Sequence, residues 1–303
     1  MTAVLETDFV RHANPFRRAG RWYKVNLHAH TTTSDGTISL ADCIGGYRKA
    51  GYSALAITDH ERTNDVRGMS TKDMLVISGM EYHPPCPGRP AGYHLVALNV
   101  PHGFALADGA PGDAIARIAA VKKAGGETIL GHPYWCGLRY EQMACLSDVI
   151  ALEIFNTQAD RMARGESSEA WSQLHDAGWF LNAVAVDDTH DPEDMFCGWT
   201  MLKMRRLSVA SVIDAVRTGS GYSSNGPEIH DFTVRRGAVE LRCSPAAAVY
   251  LVSQSGKGAR ILPLPGKTLR SIDFPIPKTW RYVRAVVVDP RGMKAWTNPL
   301  SLM

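Results

Sequence analysis

Nine residues of this chain have side chains suited to holding metal ions: His28, His30, Asp35, His60, Glu81, His94, His132, Asp188 and His190. Neutral imidazoles suit zinc, iron, manganese or nickel, and carboxylates add harder oxygen ligands that can bridge two ions. Nine nitrogen and oxygen ligands with no thiolate exceed what one tetrahedral ion takes. Two to three divalent transition metals (zinc, manganese or iron) are therefore implied. Such a cluster lowers the pKa of a bound water towards about 7 and holds the substrate oxygens on which charge develops. This is hydrolytic chemistry, and it needs no serine or cysteine nucleophile. The sequence has no G-x-S-x-G, no Walker A pattern and no G-x-G-x-x-G after a strand.

Short strands must position these groups. Trp22-Tyr23-Lys24-Val25 reads as a strand ending at His28-Ala29-His30. Side chains two apart on a strand share a face, so the two imidazoles aim at one point. Asp35-Gly36 then turns the chain and adds a carboxylate. Ser39-Leu40-Ala41-Asp42 opens a helix to about Gly51. Further strands are predicted at 54–57, 74–78, 94–98, 128–130, 149–155, 180–186 and 199–204, with helices at 111–124, 167–177 and 208–217. Strand and helix alternate about seven times, which predicts a parallel α/β architecture. His30, His60, Glu81, His132, Asp188 and His190 each fall just past a predicted strand. Working groups sit at the C-terminal strand ends of a (β/α) barrel, so a barrel explains this placement better than an open sheet.

From about Pro227 the pattern changes. Predicted strands at 232–234, 239–242, 249–252, 271–274 and 282–288 are separated by Gly and Pro turns without a helix. This predicts a small all-β sandwich at 227–303, joined to a metal-binding barrel at 1–226 through the Gly- and Ser-rich stretch 219–227.

Other residues take supporting parts. Glu153, on its own strand, is placed to hold a ligand imidazole by hydrogen bond. Asp187 points away from Asp188 and stands behind the site, and His83 lies two past Glu81 on the same face. His12, His102, His175 and His230 read as solvated or structural. Tyr134 and Trp135 adjoin His132 and, with Leu138, would wall an apolar slot for an aryl carbamate. Arg139, Arg161 and Arg164 are the candidates for gripping a charged phosphate substrate.

Composition excludes some classes. A net charge of +3 without a Lys or Arg run argues against nucleic acid or a membrane surface as partner. The first twenty residues lack the apolar core of a signal peptide, and no window is apolar for long enough to span a membrane. Cys43, Cys86, Cys136, Cys145, Cys197 and Cys243 include no C-x-x-C pair and read as reduced thiols of a cytoplasmic protein. The expected partner is a small-molecule ester.

In order, His28-Ala29-His30, Ser34-Asp35-Gly36, Thr58-Asp59-His60, Gly79-Met80-Glu81, His94, Gly131-His132-Pro133 and Asp188-Thr189-His190 resemble the successive motifs of the polymerase-and-histidinol-phosphatase (PHP) superfamily, over residues 22–221. Segments 131–135, 152–157, 184–190 and 223–229 are similar to its carbaryl-hydrolase-like branch, whose members also carry a small C-terminal β domain. The resemblance implies a distorted seven-stranded (β/α) barrel with up to three metals. His28, His30, Glu81 and Asp188 would hold the first, a bridging Glu81 with His94 and His132 the second, and Asp35, His60 and His190 the third. No position of the pattern is missing, but His83 replaces the usual small or apolar residue. The superfamily resemblance implies phosphate mono- or diester hydrolysis, with Glu81, Asp188 and His190 at the chemistry. The branch implies carbamate or carboxyl ester hydrolysis. A non-catalytic, metal-stabilised module is the alternative that the complete ligand set argues against. A nuclease would need a basic stripe, which is absent.

Overall fold

Seven strands follow one another in chain order across one sheet: β1 (Arg21–Asn26), β2 (Ala54–Ile57), β3 (Leu75–Tyr82), β4 (Leu95–Leu98), β5 (Glu127–Leu130), β6 (Val149–Asn156) and β7 (Asn182–Val186). They belong to a computed structural model that describes residues 14–106 and 114–302; His12 and the predicted helical residues 111–113 lie outside the described residues. The fold is mixed α/β. β1, β2 and β3 are parallel, as are β5, β6 and β7. The helices are α1 (Leu40–Lys49), α2 (Ala114–Lys123), α3 (Tyr140–Ala144), α4 (Thr157–Asp160), α5 (Ser168–Asp176) and α6 (Val209–Arg217).

Runs such as Ala54-Leu55-Ala56-Ile57 are buried throughout, as a sheet covered on both faces requires. Ala54 and Ala56 pack with Val25, Ile77, Val96 and Ile129, and with Val212 and Val216 of α6. Leu55 and Ile57 face the other way, onto Ile44 and Tyr47 of α1. Ser39 caps α1 by accepting the Asp42 N–H at 3.1 Å.

The expected alternation of strand and helix holds only in part. Among the described residues no helix joins β2 to β3 or β3 to β4, and β4 runs antiparallel to both β3 and β5. The β3–β4 connection carries Pro84, Pro85, Pro87 and Pro90, which lack the N–H a helix interior uses. β3 also runs on to Tyr82, so Glu81 sits within the strand instead of beyond it.

β1 changes partner along its length. Arg21 to Val25 pair antiparallel with β8 (Trp199–Met204). Past Asn26 the chain instead meets the residues following β7: Asp188 N–H donates to His28 O at 3.1 Å, and His30 N–H to Thr189 O at 2.8 Å. Backbone hydrogen bonds therefore join the first and seventh strands beyond their ends, where the candidate ligands lie.

β8 leads through α6 to β9 (Gly221–Ser224), and only strands follow: β10 (Ile229–Arg235), β11 (Ala238–Ala246), β12 (Ala248–Val252), β13 (Gly258–Ile261), β14 (Leu269–Pro275), β15 (Tyr282–Val288), β16 (Lys294–Thr297) and β17 (Leu300–Ser301). β10, β11 and β14 form a three-stranded sheet. Phe232, Val239 and Leu241 of this sheet pack with Val249, Leu251, Val283 and Val287 of β12 and β15. The other C-terminal strands extend the large sheet, because β16 pairs with β9. Trp296 stacks on Phe155 with centroids 6.0 Å apart, and Asn298 Oδ1 accepts the Ala183 N–H at 2.9 Å. Buried Arg284 lies 4.2 Å over the Trp171 ring and donates to Ser172 Oγ at 2.7 Å. Residues beyond 227 thus complete the core of the first part of the chain.

All six cysteines are unpaired. No helix among the described residues is long and apolar enough to cross a membrane.

Candidate metal centre

The structure brings all nine candidate ligands together. His28 and His30 are fully buried, with their Nε2 atoms 3.0 Å apart. The Glu81 carboxylate lies at the middle. Its Oε2 is 3.4 Å from His28 Nε2, 3.3 Å from His30 Nε2 and 3.1 Å from His60 Nδ1. Its Oε1 is 2.7 Å from His94 Nδ1 and 3.3 Å from His132 Nε2. Asp188 Oδ1 stands 3.2 Å from His28 Nε2 and 3.1 Å from His30 Nε2. Asp35 Oδ2 stands 3.1 Å from His60 Nε2 and 3.4 Å from His190 Nε2. Two groups of four result, each with ligand atoms within 4.8 Å of one another: His28, His30, Glu81 and Asp188; and His30, Asp35, His60 and His190.

Local chain geometry sets each ligand. His60, past the end of β2, bridges in parallel with Glu81, near the end of β3, so the two side chains lie level with each other. Gly79 lets β3 approach, since a Cβ there would stand 2.4 Å from Ala97 O. β4 is antiparallel, so His94, just before its start, reaches the same end of the sheet as groups that follow the parallel strands. Asp188 has a left-handed backbone (φ 52), a conformation costly for a side-chain-bearing residue and often kept at functional sites. That turn separates it from Asp187, which faces away as expected. Asp187 accepts the N–H groups of Phe196 (2.8 Å), Cys197 (2.9 Å) and Gly198 (2.6 Å) and the Tyr47 hydroxyl (2.6 Å). Burial pushes its pKa up to about 6 against these donors.

Glu153 stands behind the ligands. Its Oε1 is 2.7 Å from His28 Nδ1 and its Oε2 accepts the His132 N–H at 2.9 Å. His28 therefore donates from Nδ1 and turns its Nε2 inward. His190 does likewise, with Nδ1 on Asp188 O at 2.9 Å.

Two positioning residues went unnoticed in the sequence. Asn156 Nδ2 donates to Glu153 Oε2 at 2.8 Å and to Asp188 Oδ2 at 3.1 Å. Buried Asp59 accepts the N–H groups of Thr31 (2.8 Å) and Ser34 (3.1 Å) and the Ser34 hydroxyl (2.7 Å), fixing the loop that carries Asp35. Its place inside Thr58-Asp59-His60 was the available signal.

The electrostatics fit cations. Burial opposes charge on His28, yet Asp188, Glu153 and Glu81 overcome it and raise its pKa well above the ordinary imidazole value. His30 is likewise pushed up to about 9, against burial, by Asp188 and Glu81. Burial opposes charge on Glu81 too, but the surrounding histidines hold its pKa well below the carboxylate range. Asp188 Oδ1 and His60 Nδ1 are buried without a hydrogen-bond partner. Orphaned lone pairs and converging acceptors are what a metal ion would satisfy.

A cavity of about 190 Å³ opens onto the cluster, lined by Asp35, His60, Glu81, His94, His132, Asp188 and His190, and by Trp135, Gln158, Ala159 and Met162. Among the described residues no arginine or lysine lines it, so the structure does not bring Arg139, Arg161 or Arg164 to this pocket. Arg161 is turned to Asp194 (2.5 Å) and Glu193 (3.2 Å), with which its guanidinium pairs. Arg139, Arg164 and Tyr134 line a separate cavity of about 700 Å³, where the Arg164 guanidinium lies 5.8 Å from the Tyr134 ring. Leu138 lines that second cavity as well. Trp135 walls the metal pocket, its ring 5.2 Å from His94 and 5.4 Å from His132. His83 lies beside Glu81, with its Nε2 3.6 Å from Glu81 Oε2.

No family model and no curated protein matches the sequence. Among solved structures, the chain is similar to a two-domain protein from Bacteroides vulgatus containing a predicted PHP-like metal-dependent phosphoesterase. The TM-score is 0.55 at 16% identity, covering 93% of this chain and 96% of that one. It is also similar to an amidohydrolase from Chromobacterium violaceum with bound sulfate and no metal. There the TM-score is 0.44 at 15% identity, covering 56% of this chain and 89% of that one. At such identity the first likeness establishes the fold alone, over both parts of the chain.

Proposed function

We propose that the protein is a metal-dependent hydrolase that cleaves phosphate mono- or diesters of small molecules in the cytoplasm. Its centre would be binuclear or trinuclear, at the mouth of a distorted seven-stranded barrel at 1–226, with a β-sandwich domain at 227–303. One observation carries this reading: the Glu81 carboxylate lies within 3.4 Å of five imidazoles, so adjoining ligand groups share it. Bound zinc, manganese or iron would supply an acidified water and positive field for the substrate's oxygens. Glu81 and Asp188 set the spacing of the ligand groups. His190, pinned at Nδ1, presents Nε2 to the pocket beside Asp35. The first fold neighbour, described as containing a predicted PHP-like phosphoesterase, supports the phosphate reading.

A second reading, hydrolysis of a neutral aryl carbamate or carboxyl ester, is favoured by the pocket wall. Trp135, Ala159 and Met162 line it, and among the described residues no arginine or lysine does. The resemblance to the carbaryl-hydrolase-like branch points the same way. The test is turnover by metal-loaded protein of chromogenic phosphomonoesters and phosphodiesters beside neutral aryl esters and carbamates. The phosphate reading expects the highest kcat/KM on a phosphoester. A neutral aryl substrate turned over well above every phosphoester would replace it with the second, and no turnover at full metal occupancy would leave a non-catalytic metal module.

A further inference from the structure

We infer that His83 is a metal ligand beyond the nine, binding a divalent transition metal through Nε2 at the edge of the centre between His60 and His94, with Glu61 as its positioning residue. The inference rests on the metal-centre reading. His83 Nε2 is buried without a hydrogen-bond partner, although the side chain as a whole is a quarter exposed. A structural histidine would turn that nitrogen to water or to a donor. Instead it lies 3.6 Å from Glu81 Oε2, and the ligand atoms of His60, Glu81 and His83 fall within 4.8 Å of one another. The His83 ring is 4.7 Å from that of His60 and 4.2 Å from that of His94.

The opposite ring nitrogen is held as in a ligating histidine. His83 Nδ1 is 3.3 Å from Glu61 Oε1, and the same oxygen accepts the His83 N–H at 2.8 Å. A carboxylate on Nδ1 with Nε2 turned to the metal is the arrangement that orients metal-bound imidazoles. Glu153 and His28 form the same pair across the site. Glu61 reaches its place with a left-handed backbone (φ 53), its N–H donating to Glu81 O at 2.8 Å. Backbone strain at Glu61 and an unpartnered ring nitrogen at His83 thus meet on the shared carboxylate.

The test is zinc binding, read by competition with a chromophoric chelator, and the electronic spectrum of the cobalt(II)-loaded protein. Both are measured on the full chain, as wild type, His83→Ala and Glu61→Gln. For one equivalent, His83→Ala should weaken zinc binding at least 10-fold and change the cobalt spectrum. Glu61→Gln, which keeps the side chain's shape, should weaken the same equivalent about 10-fold. Circular dichroism of the metal-free variants checks folding. Wild-type affinity for every equivalent with an unchanged cobalt spectrum in both variants would overturn the role of His83 alone. A wild-type protein that takes up no zinc or cobalt would overturn the metal centre with it.

Discussion

His28 and Glu153, 125 residues apart in the chain, meet at 2.7 Å with both side chains buried. That contact fixes which nitrogen of His28 faces the other ligands, and the same carboxylate holds the His132 backbone. Glu153→Gln should therefore lower metal affinity and activity together, by about 10–100-fold. Chelator competition beside steady-state rates measures this. Unchanged affinity would mean that His28 is oriented without the carboxylate.

Glu81→Gln and Asp188→Asn each remove charge from shared ligands, and each should lower kcat by several orders of magnitude with loss of bound metal. Elemental analysis alongside kinetics checks both. A Glu81→Gln protein with full metal content and near-wild-type rate would remove Glu81 from the centre.

Metal uptake should depend on pH. In the metal-free protein His30 is pushed up to about 9 from 6.5, so protons occupy the site at neutral pH. The folded-state pKa is raised, so this group's contribution to stability is present below about 6.5 and lost as pH rises through about 9. The Tm of the metal-free protein should fall across that window while metal affinity rises, since each ion displaces protons. Calorimetry at pH 7 in buffers of different ionisation enthalpy should detect proton release on loading. No release would mean that the free histidines are neutral.

Asp187→Ala should act on stability. It strands the N–H groups of Phe196, Cys197 and Gly198, at a cost of about 3–5 kcal/mol. Denaturant unfolding measures this. Metal content per folded molecule should stay the same.

Trp296→Ala should cost about 3–5 kcal/mol, because it empties a fully buried site against Phe155. Truncation after residue 226 should leave no soluble folded protein, since β9 would lose its partner β16. A truncated chain with a native circular dichroism spectrum would contradict this.

The ligands were legible because they cluster at strand ends: His60 and Asp188 could be named from the short apolar runs before them. Strand direction is not legible, since periodicity is the same for a strand read either way, so the pattern alone does not reveal that β4 runs antiparallel. Asn156 escaped for another reason. Three residues after Glu153 it should point to the opposite face, but β6 has a register shift between Glu153 and Phe155 that returns it to the same one. Arg161 misled because its partners Glu193 and Asp194 lie in a short 3-10 turn (Pro192–Asp194) more than thirty residues away, and composition does not report such pairing. The sheet's continuation across residue 226 depends on β16 finding β9, a long-range pairing that local turn signals do not encode.

The contact between Asn298 and Ala183 also bears on synthesis. Ala183 lies at the start of the strand leading to Asp188 and His190, just after its first residue, yet its hydrogen-bond partner is made 115 residues later. At ordinary ribosomal speeds that interval lasts roughly 6–23 s. Throughout it the nascent chain would expose an unsatisfied strand edge next to half-assembled ligands. Chaperone demand and premature metal capture should therefore peak late in translation, after every ligand has emerged and before the last strands arrive.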